Sequence, residues 1–270
     1  MAKCGLIGNP ISHSKSPALF KAAYGDGPHS YSLIEAPTCK EAMERFTGEG
    51  FTGINITSPF KDEVMQYVSL PDNISSTLGS ANTIVSREGK LHSYNTDYYG
   101  VRNTLEEFLT KSPGPARAHG STTGRADTSL HGNGLTAIVI GAGGAGKAAA
   151  LAVKDMGMQV YFANRSFHTA APFAEKIGAE YIPLEKIPLM LGQADIIVYN
   201  LSMKIAPLEG VSLEGKIVFE ANYAHPNLNC SGAGTYIDGR HWLYNQAIPA
   251  FRLFTGEEPY APAMKDVMGL

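Results

Sequence analysis

A lysine and an aspartate stand out among the residues whose types and spacing could do chemistry. Lys61 ends the run Asn55-Ile56-Thr57-Ser58-Pro59-Phe60-Lys61, which leads from an apolar segment into an amphipathic one. A cation is unfavourable in the first turn of a helix, so a lysine at this place needs another explanation. Asp97 ends a second polar run, Tyr94-Asn95-Thr96-Asp97, and can supply a carboxylate that pairs with Lys61. An ammonium group held by a carboxylate can act as an acid, although each run taken singly is more often a turn or a cap.

Two serines near the N terminus form a second candidate site. Ser14 and Ser16 lie in Asn9-Pro10-Ile11-Ser12-His13-Ser14-Lys15-Ser16-Pro17, between a predicted strand and a predicted helix. Ser16 followed by Pro17 is typical of a helix N-cap. Two hydroxyls at a helix N-terminus also suit a bound carboxylate. The residues alone leave capping and carboxylate binding equally open.

A glycine-rich turn in the second half of the chain predicts a dinucleotide site. The run Gly141-Ala142-Gly143-Gly144-Ala145-Gly146 follows the apolar strand candidate Leu135–Ile140 and precedes the alanine-rich segment Lys147–Met156. In this pattern the first glycine permits a tight turn, the second admits a pyrophosphate, and the third lets helix and strand pack closely. The alternative is a purely structural turn between strand and helix.

The residues after the next strand candidate indicate which dinucleotide is bound. An acidic residue there would bind the ribose 2'-hydroxyl and repel a 2'-phosphate. This chain has Asn164-Arg165-Ser166 instead, and a guanidinium between an amide and a hydroxyl suits a phosphate. The sequence therefore favours NADP over NAD, the alternative being that Arg165 is an ordinary surface residue.

Apolar runs that alternate with amphipathic segments predict an α/β fold for these sites. The first part of the chain reads as a mostly parallel sheet with helices, and the part after residue 134 as a doubly wound domain. Between them, residues 111–134 are rich in Gly, Pro, Ser and Thr, which predicts a flexible linker or insertion. The strand candidates are 4–7, 31–34, 53–56, 81–85, 135–140, 159–163, 196–199 and 217–219, and the helix candidates are 17–23, 40–46, 60–67, 97–109, 147–156 and 242–254.

Composition excludes several classes of function. The chain has 270 residues, 44% of them hydrophobic, and a formal net charge of -3, so it lacks the basic surface that nucleic acids require. It has no apolar stretch of about 18 residues and no signal-peptide pattern, so we expect a cytoplasmic protein without a membrane segment. Cys4, Cys39 and Cys230 are odd in number and far apart, which favours neither a disulfide framework nor a metal cluster, and no metal is expected.

Six ordered blocks of this sequence resemble the shikimate dehydrogenase family. Their order and spacing match over nearly the whole chain, and the first two blocks are specific to that family and its quinate-using relatives. The blocks are Gly8-Asn9-Pro10-Ile11-Ser12-His13-Ser14-Lys15-Ser16-Pro17, Asn55 to Lys61, Ala81-Asn82-Thr83, Asn95-Thr96-Asp97, Gly141 to Gly146 and Asn164-Arg165-Ser166.

The resemblance implies an enzyme that reversibly reduces 3-dehydroshikimate to shikimate with NADPH. Reduction of a ketone leaves an alkoxide that must gain a proton, and the resemblance assigns this step to Lys61, paired with Asp97. It also implies a substrate domain at 1–110, an NADP-binding Rossmann domain at 135–238, and C-terminal helices at 239–270 that pack on the substrate domain. The implied substrate-binding residues are Ser14, Ser16, Thr57, Asn82, Thr96, Tyr223 and Gln246; the implied cofactor-binding residues are Gly141, Gly143, Gly144, Ala145, Gly146, Asn164, Arg165, Ser166, Ser202 and Gly239.

The C-terminal part departs from the family pattern Gly-Leu-x-Met-Leu-x-x-Gln. Gly239, Leu243 and Gln246 keep this pattern, whereas Trp242 stands in the methionine position. We interpret His241 as a polar residue at a helix start rather than an acid–base group. Two alternatives therefore stay open: a dehydrogenase of quinate or another cyclohexene acid, and a non-catalytic binder of a dinucleotide or metabolite. The expected partner is a small-molecule substrate, and the chain is expected to be a monomer or a homodimer.

Overall fold

The computed structural model describes residues 1–111, 132, 134–228 and 232–270. The chain divides into two compact units. Unit 1 comprises Met1–Gly100 and Leu243–Leu270, and unit 2 comprises Val101–Trp242. The predicted linker at 111–134 lies outside the described residues, apart from residues 111, 132 and 134.

Strands and helices alternate along the described chain, and the predicted strands at 53–56, 159–163 and 196–199 have the bounds that the sequence predicts. The strands are β1 (Lys3–Gly8), β2 (Ser30–Glu35), β3 (Gly53–Ile56), β4 (Leu70–Pro71), β5 (Thr83–Arg87), β6 (Lys90–Tyr94), β7 (Thr136–Ile140), β8 (Gln159–Ala163), β9 (Glu180–Ile182), β10 (Ile196–Tyr199), β11 (Ile217–Glu220) and β12 (Thr235–Asp238). The α-helices are α1 (Ser16–Tyr24), α2 (Cys39–Gly48), α3 (Asn73–Leu78), α4 (Thr96–Lys111), α5 (Gly144–Asp155), α6 (Phe167–Lys176), α7 (Ile187–Met190), α8 (Gly239–Thr255) and α9 (Ala261–Met268). Short 3-10 helices lie at Glu63–Tyr67, Leu184–Lys186, Leu191–Gln193 and Ala206–Leu208.

The described strands of unit 1 form a sheet in the order β2-β1-β3-β5-β6-β4. Strand β1 runs parallel to β2 and β3, whereas the β5–β6 hairpin is antiparallel and joins β3 through β5. The hairpin turns at Glu88 and Gly89, which both have positive φ. Because β1 and β3 are parallel neighbours, the polar runs that follow their C-terminal ends begin at the same edge of the sheet.

The core of unit 1 lies on both faces of its sheet. Ile84 packs in a cluster with Phe46 of α2, while the next residue, Val85, packs in a cluster with Phe251 of α8 and Met264 of α9. Successive residues of a strand point to opposite faces, so α2 covers one face and α8 and α9 cover the other. This packing holds the sheet edge that carries the polar runs.

Unit 2 has a parallel sheet in the order β12-β11-β10-β7-β8-β9 within the described residues. The chain proceeds outward from β7 to β9 and then crosses over to β10, β11 and β12, which is the doubly wound order. Every residue of β10 and β11 is buried, because helices cover both faces of a parallel sheet. The glycine-rich turn follows β7, beside the point at which the strand order reverses.

The predicted fold class is confirmed: the chain is α/β, with mostly parallel sheets and a Rossmann-type doubly wound second part. Both sheets place the C-terminal ends of their parallel strands under the loops that carry the candidate residues. Among the described residues, we find no helix with both the length and the hydropathy needed to cross a bilayer.

The predicted helix over 60–67 is wrong. The chain makes consecutive turns over 58–62 and then the 3-10 helix at Glu63–Tyr67. Val68 is already extended, with φ -83° and ψ 132°, because β4 follows directly and pairs with β6. Too few residues remain for an α-helix. Lys61 therefore stands in a turn, and the unfavourable helix position that drew attention to it does not exist.

Candidate functional site

Lys61 and Asp97 form an ion pair in unit 1. The Nζ atom of Lys61 lies 2.5 Å from Oδ2 of Asp97, and the two side chains are 17% and 4% exposed. Water screens such a pair less than it screens a surface pair. Asp97 lies in the first turn of α4, where the helix macrodipole favours a negative charge. The structure thus brings the two groups into contact, and their catalytic role stays a prediction.

Backbone hydrogen bonds fix the turn that carries Lys61. The Lys61 carbonyl accepts a hydrogen bond of 2.9 Å from the Ala81 N–H, and the Thr57 carbonyl accepts one of 3.1 Å from the Phe60 N–H. Phe60 itself is buried in the core of unit 1. The buried Phe60 ring and the hydrogen bond from Ala81, which lies just before β5, therefore hold the turn in place.

Asn82 connects two other predicted substrate residues, Thr96 and Gln246. Its buried Oδ1 accepts hydrogen bonds from the Thr96 N–H at 2.6 Å, the Thr96 hydroxyl at 3.1 Å and the Thr83 hydroxyl at 3.1 Å. Its Nδ2 donates to Oε1 of Gln246 at 3.2 Å. Because Thr96 precedes Asp97 at the start of α4, the same network fixes the position of the carboxylate that pairs with Lys61.

Tyr31 and Asn55, which are not among the predicted site residues, extend this network. The Tyr31 hydroxyl donates to Oδ1 of Asn55 at 2.8 Å, and Nδ2 of Asn55 donates to the Thr83 hydroxyl at 3.0 Å. Burial raises the pKa of Tyr31 well above its ordinary value, although the hydroxyl of Ser16 opposes the rise by hydrogen bonding. Asn55 begins the polar run that ends at Lys61, so it could have been predicted as a site residue. No neighbouring residue in the sequence indicates such a role for Tyr31.

The two serines lie at the start of α1, in an arrangement that differs from the predicted cap. Lys15, not Ser16, occupies the N-cap position, and the Lys15 side chain makes no capping hydrogen bond. Ser16 is instead the first helical residue, and its N–H donates to the Ser14 hydroxyl at 3.2 Å.

Thr57 is held next to this loop by a glycine. A Cβ on Gly8 would lie 2.4 Å from Cγ2 of Thr57 and 2.7 Å from Cγ2 of Ile11. The Thr57 N–H also donates to the Ile7 carbonyl at 2.9 Å. The close approach at Gly8 therefore brings the loop after β1 against the loop after β3.

The glycine-rich turn of unit 2 has a geometry into which a pyrophosphate would fit. Gly141 has a φ of +101°, and a Cβ on Gly146 would lie 1.8 Å from the Gly141 carbonyl oxygen. A Cβ on Gly143, by contrast, would meet nothing within 4 Å. Gly144 and Ala145 open α5, whose first turn carries no acidic residue. The first and third glycines thus serve packing, and the second leaves open space before a helix N-terminus.

Arg165 is exposed in the turn that follows β8, where a bound phosphate could reach it. On either side of it, Nδ2 of Asn164 donates to the Ser166 carbonyl at 3.2 Å and the Thr169 hydroxyl donates to Oγ of Ser166 at 3.0 Å. Ser166 is the N-cap residue of α6. A guanidinium, a hydroxyl and a helix N-terminus all favour an anion, so these residues fit the adenosine 2'-phosphate of NADP.

Asn200 and Ser202 lie in the loop after β10, beside the glycine-rich turn. Nδ2 of Asn200 donates to the Ile140 carbonyl at 3.3 Å, while its Oδ1 is buried without a hydrogen-bond partner among the described residues. The Tyr199 hydroxyl donates to the Met203 carbonyl at 2.5 Å and closes the turn around Ser202. An unpaired buried carbonyl oxygen can accept a hydrogen bond from a bound group, which also fits a dinucleotide.

Gly239 and Trp242 lie at the start of α8 in unit 2. A Cβ on Gly239 would lie 2.2 Å from the Ala221 carbonyl oxygen, so close packing by itself requires the glycine. Trp242 is 4% exposed, and its ring lies 5.5 Å from that of Phe219. Trp242 is therefore a core side chain of unit 2. Tyr223, the remaining predicted substrate residue, is half-buried in the loop between β11 and β12.

Comparison with known proteins identifies the family. A family model described as the shikimate dehydrogenase substrate binding domain matches residues 6–84, and one described as shikimate / quinate 5-dehydrogenase matches residues 126–211. The shikimate dehydrogenase (NADP(+)) of Natronomonas pharaonis is 32% identical over 280 residues, which cover 98% of this chain and 97% of that protein. This chain belongs to the shikimate dehydrogenase family.

Further relatives agree with this assignment to the shikimate dehydrogenase family. The shikimate dehydrogenase (NADP(+)) of Halobacterium salinarum is 32% identical over 276 residues, covering 97% of this chain and 96% of that protein. The crystal structure of shikimate 5-dehydrogenase from Thermus thermophilus, in complex with NADP(H) and shikimate, has a TM-score of 0.77 and 25% identity, covering 100% of this chain and 99% of that one. The similarity therefore extends over both units.

Proposed function

We propose that this chain is an NADP-dependent shikimate dehydrogenase, which reversibly reduces 3-dehydroshikimate to shikimate. The observation that carries the proposal is the largely buried ion pair of Lys61 and Asp97, whose Nζ and Oδ2 atoms lie 2.5 Å apart. Asp97 directly follows Thr96, which belongs to a network of hydrogen-bonding side chains that suit the hydroxyl groups of a substrate. Relatives named shikimate dehydrogenase (NADP(+)) at 32% identity support the substrate and the cofactor.

Lys61 is the proposed acid of the reaction. In the reductive direction the substrate carbonyl oxygen becomes an alkoxide, and the Lys61 ammonium group supplies the proton at that oxygen. The Asp97 carboxylate orients the ammonium group and stabilises its charge. NADP, when bound, supplies or accepts the hydride. In the oxidative direction Lys61 takes the proton back from the substrate hydroxyl.

Unit 1 is the proposed substrate-binding unit. Ser14 and Ser16, at the start of α1, suit the substrate carboxylate, because hydroxyls and a helix N-terminus both favour an anion. The ring hydroxyl groups are assigned to Thr57, Asn82, Thr96, Asp97 and Gln246, and Tyr223 is a further proposed substrate residue. Four of these residues already share one hydrogen-bond network or neighbour it in the chain, so little reordering is needed on binding.

Unit 2 is the proposed NADP-binding unit. The turn from Gly141 to Gly146 suits the pyrophosphate, and Asn164, Arg165 and Ser166 suit the 2'-phosphate. Ser202 and Gly239 are assigned to the nicotinamide side. Arg165 supplies the charge that distinguishes NADP from NAD, since a carboxylate at this place would repel a phosphate. We propose a cytoplasmic enzyme, and a monomer or homodimer.

The first experiment follows absorbance at the NADPH band with purified protein, shikimate and NADP. Parallel reactions replace NADP by NAD, and shikimate by quinate, since one family model that matches the chain is described by both substrates. Faster reduction with quinate would favour the alternative substrate. Tight NADPH binding without hydride transfer to or from any cyclic acid would favour a non-catalytic binder.

Replacing Lys61 tests the assigned role directly. We expect Lys61→Ala to lower kcat by about 10²- to 10⁴-fold, the range typical of general acid–base groups. Lys40→Ala is the matched control, because Lys40 is an exposed lysine of unit 1 that pairs only loosely with Glu44, at 3.9 Å. An unchanged rate in Lys61→Ala would contradict the proposed acid.

A further inference from the structure

The carboxylate of Glu220, the last residue of β11, gathers four donors in the interior of unit 2. The side chain is fully buried. Its Oε1 accepts hydrogen bonds from the N–H of Asn227 and, at 3.3 Å, from Nδ2 of the same residue. Its Oε2 accepts from the Leu228 N–H at 3.2 Å and from the Tyr236 hydroxyl at 3.1 Å. A buried carboxylate with this many partners is well compensated for its loss of water.

These hydrogen bonds close a loop on the strand from which it starts. Asn227 and Leu228 follow Glu220 by seven and eight residues, so one carboxylate fixes both ends of the loop over 221–226. Within the loop, Oδ1 of Asn222 accepts a hydrogen bond from the His225 N–H at 3.1 Å. Tyr223 lies between Asn222 and His225, so these hydrogen bonds restrict the backbone conformation of the segment that carries it.

The same carboxylate influences the neighbouring loop. Nδ2 of Asn227 donates to the Leu201 carbonyl at 3.2 Å, and the Ala221 N–H donates to the Tyr199 carbonyl at 2.9 Å. Burial, together with the charge of Glu220, raises the pKa of Tyr199 to about 12, so its hydroxyl remains a donor. The loops after β10 and β11 are thereby joined through hydrogen bonds that begin at Glu220.

We propose that Glu220 is a positioning residue that acts through Tyr223, holding the tyrosine in the orientation that binds substrate. Buried polar networks of this kind fix a single geometry when every member has its partner, and a misplacement of about 1 Å can lower turnover about 10²-fold. The inference rests on the proposed function, because it assumes that Tyr223 contacts shikimate.

A double-mutant cycle between Glu220→Gln and Tyr223→Phe tests the proposal. Glutamine has nearly the same shape as glutamate, but it places an NH2 group among donors and therefore loosens the loop. We expect Tyr223→Phe to lower kcat/KM for shikimate about 10-fold in the unmodified chain, which is the loss of one hydrogen bond. In the Glu220→Gln background, we expect the same change to cost less than about 2-fold, because the tyrosine is already misplaced.

A merely structural role would give a different result. Equal cost of Tyr223→Phe in both backgrounds, or the absence of any cost, would overturn the proposal. Glu214→Gln is the control for loss of charge, since Glu214 is exposed in the same unit, and it is expected to leave kcat/KM unchanged. A Glu220→Gln variant that behaved like this control would also overturn the proposal.

A second variant serves if Glu220→Gln does not fold. Tyr236→Phe removes one hydrogen-bond donor from the same carboxylate, at a residue that is 36% exposed. This variant replaces Glu220→Gln in the cycle, and we expect it to reduce the cost of Tyr223→Phe in the same direction but by a smaller factor. Additive effects would again overturn the proposal. Failure of the proposed function is distinguishable, because in that case the unmodified chain itself would not reduce NADP with shikimate.

Discussion

At Asn82, a single buried amide supports four hydrogen bonds to residues from three parts of unit 1. Its oxygen accepts hydrogen bonds from the Thr83 hydroxyl and from the N–H and hydroxyl of Thr96, and its nitrogen donates one to Gln246. An amide is suited to this place because it carries an acceptor and a donor on one rigid plane. The same polarity that stabilises the fold here is the polarity that a ring hydroxyl of a substrate requires.

We expect Asn82→Ala to lower the free energy of unfolding by about 1–3 kcal/mol. The Thr96 N–H and hydroxyl are buried, and the substitution leaves them without this acceptor. Urea unfolding checks the value. The control is Asn73→Ala at the exposed first residue of α3, where a change within about 0.5 kcal/mol is expected. Equal losses in the two variants would contradict the importance assigned to the network.

We expect His241 to make the stability of unit 2 depend on pH. Its ring lies 4.9 Å from that of Phe108 in an edge-on contact. Burial lowers the pKa of His241 below its ordinary value of 6.5, against the opposing charges of Glu107 and Asp238, while Arg240 and Lys111 add to the lowering. The unfolded chain therefore binds a proton more readily than the folded chain.

We expect the free energy of unfolding to fall on acidification from about pH 6.5, the value of an unperturbed histidine, down to the lower pKa of folded His241. Unfolding of the His241→Asn variant should have a weaker pH dependence in this window. His168→Asn, at an exposed histidine of the same unit, is the control. An unchanged slope in His241→Asn would show that other groups cause the dependence.

At the scale of elements, the turn between β7 and α5 divides its tasks among its glycines. Gly146 allows the helix to approach the Gly141 carbonyl, which a Cβ would meet at 1.8 Å, whereas Gly143 faces open space. Residues of one motif therefore differ in what a side chain would cost. We therefore expect folding to depend on the third glycine and ligand access to depend on the second.

Paired alanine substitutions separate these two tasks. Gly146→Ala is expected to lower the unfolding transition, because the contact is with backbone that cannot move aside. Gly143→Ala is expected to keep the free energy of unfolding within about 0.5 kcal/mol and to weaken NADPH binding, because its methyl group occupies the path of the pyrophosphate. Thermal unfolding and NADPH fluorescence titration measure the two effects. Weak unfolding effects from Gly146→Ala would contradict this division.

At the scale of the whole molecule, each unit has a core of its own, and the buried cysteines report on the core of unit 1. Cys4 and Cys39 are free thiols buried there. Burial raises the pKa of Cys4 to about 12 and that of Cys39 to about 11. Only the thiolate reacts with alkylating agents, so both residues are protected by their protonation as well as by packing.

We expect iodoacetamide at about pH 8, near the pKa of a free thiol, to leave Cys4 and Cys39 unmodified in the folded chain and to modify both together once unit 1 unfolds. Mass spectrometry of the two peptides over a urea series measures this. The reaction in high urea is the control for intrinsic reactivity. Modification of either residue well below the unfolding midpoint would contradict the burial of that thiol.

Much of the fold and of the candidate site could be predicted from the sequence because the signals are local. The apolar runs at 53–56, 159–163 and 196–199 gave strands with the predicted bounds, since buried parallel strands need continuous apolar residues. The pattern of Gly141 to Gly146 and the run Asn164-Arg165-Ser166 likewise carry their chemistry in adjacent residues. Family membership followed from such blocks and their order.

The tertiary structure decided what depends on distant residues. The segment 60–67, predicted as a helix, forms turns and a 3-10 helix because β4 follows it and pairs with β6. The sequence therefore pointed to Lys61 through a helix position that the fold does not contain. The contact of Lys61 with Asp97, the node at Asn82, the partnership of Tyr31 with Asn55, and the four donors around Glu220 join residues far apart in the chain or in separate loops. Strand order and register set such contacts, and no local pattern encodes them.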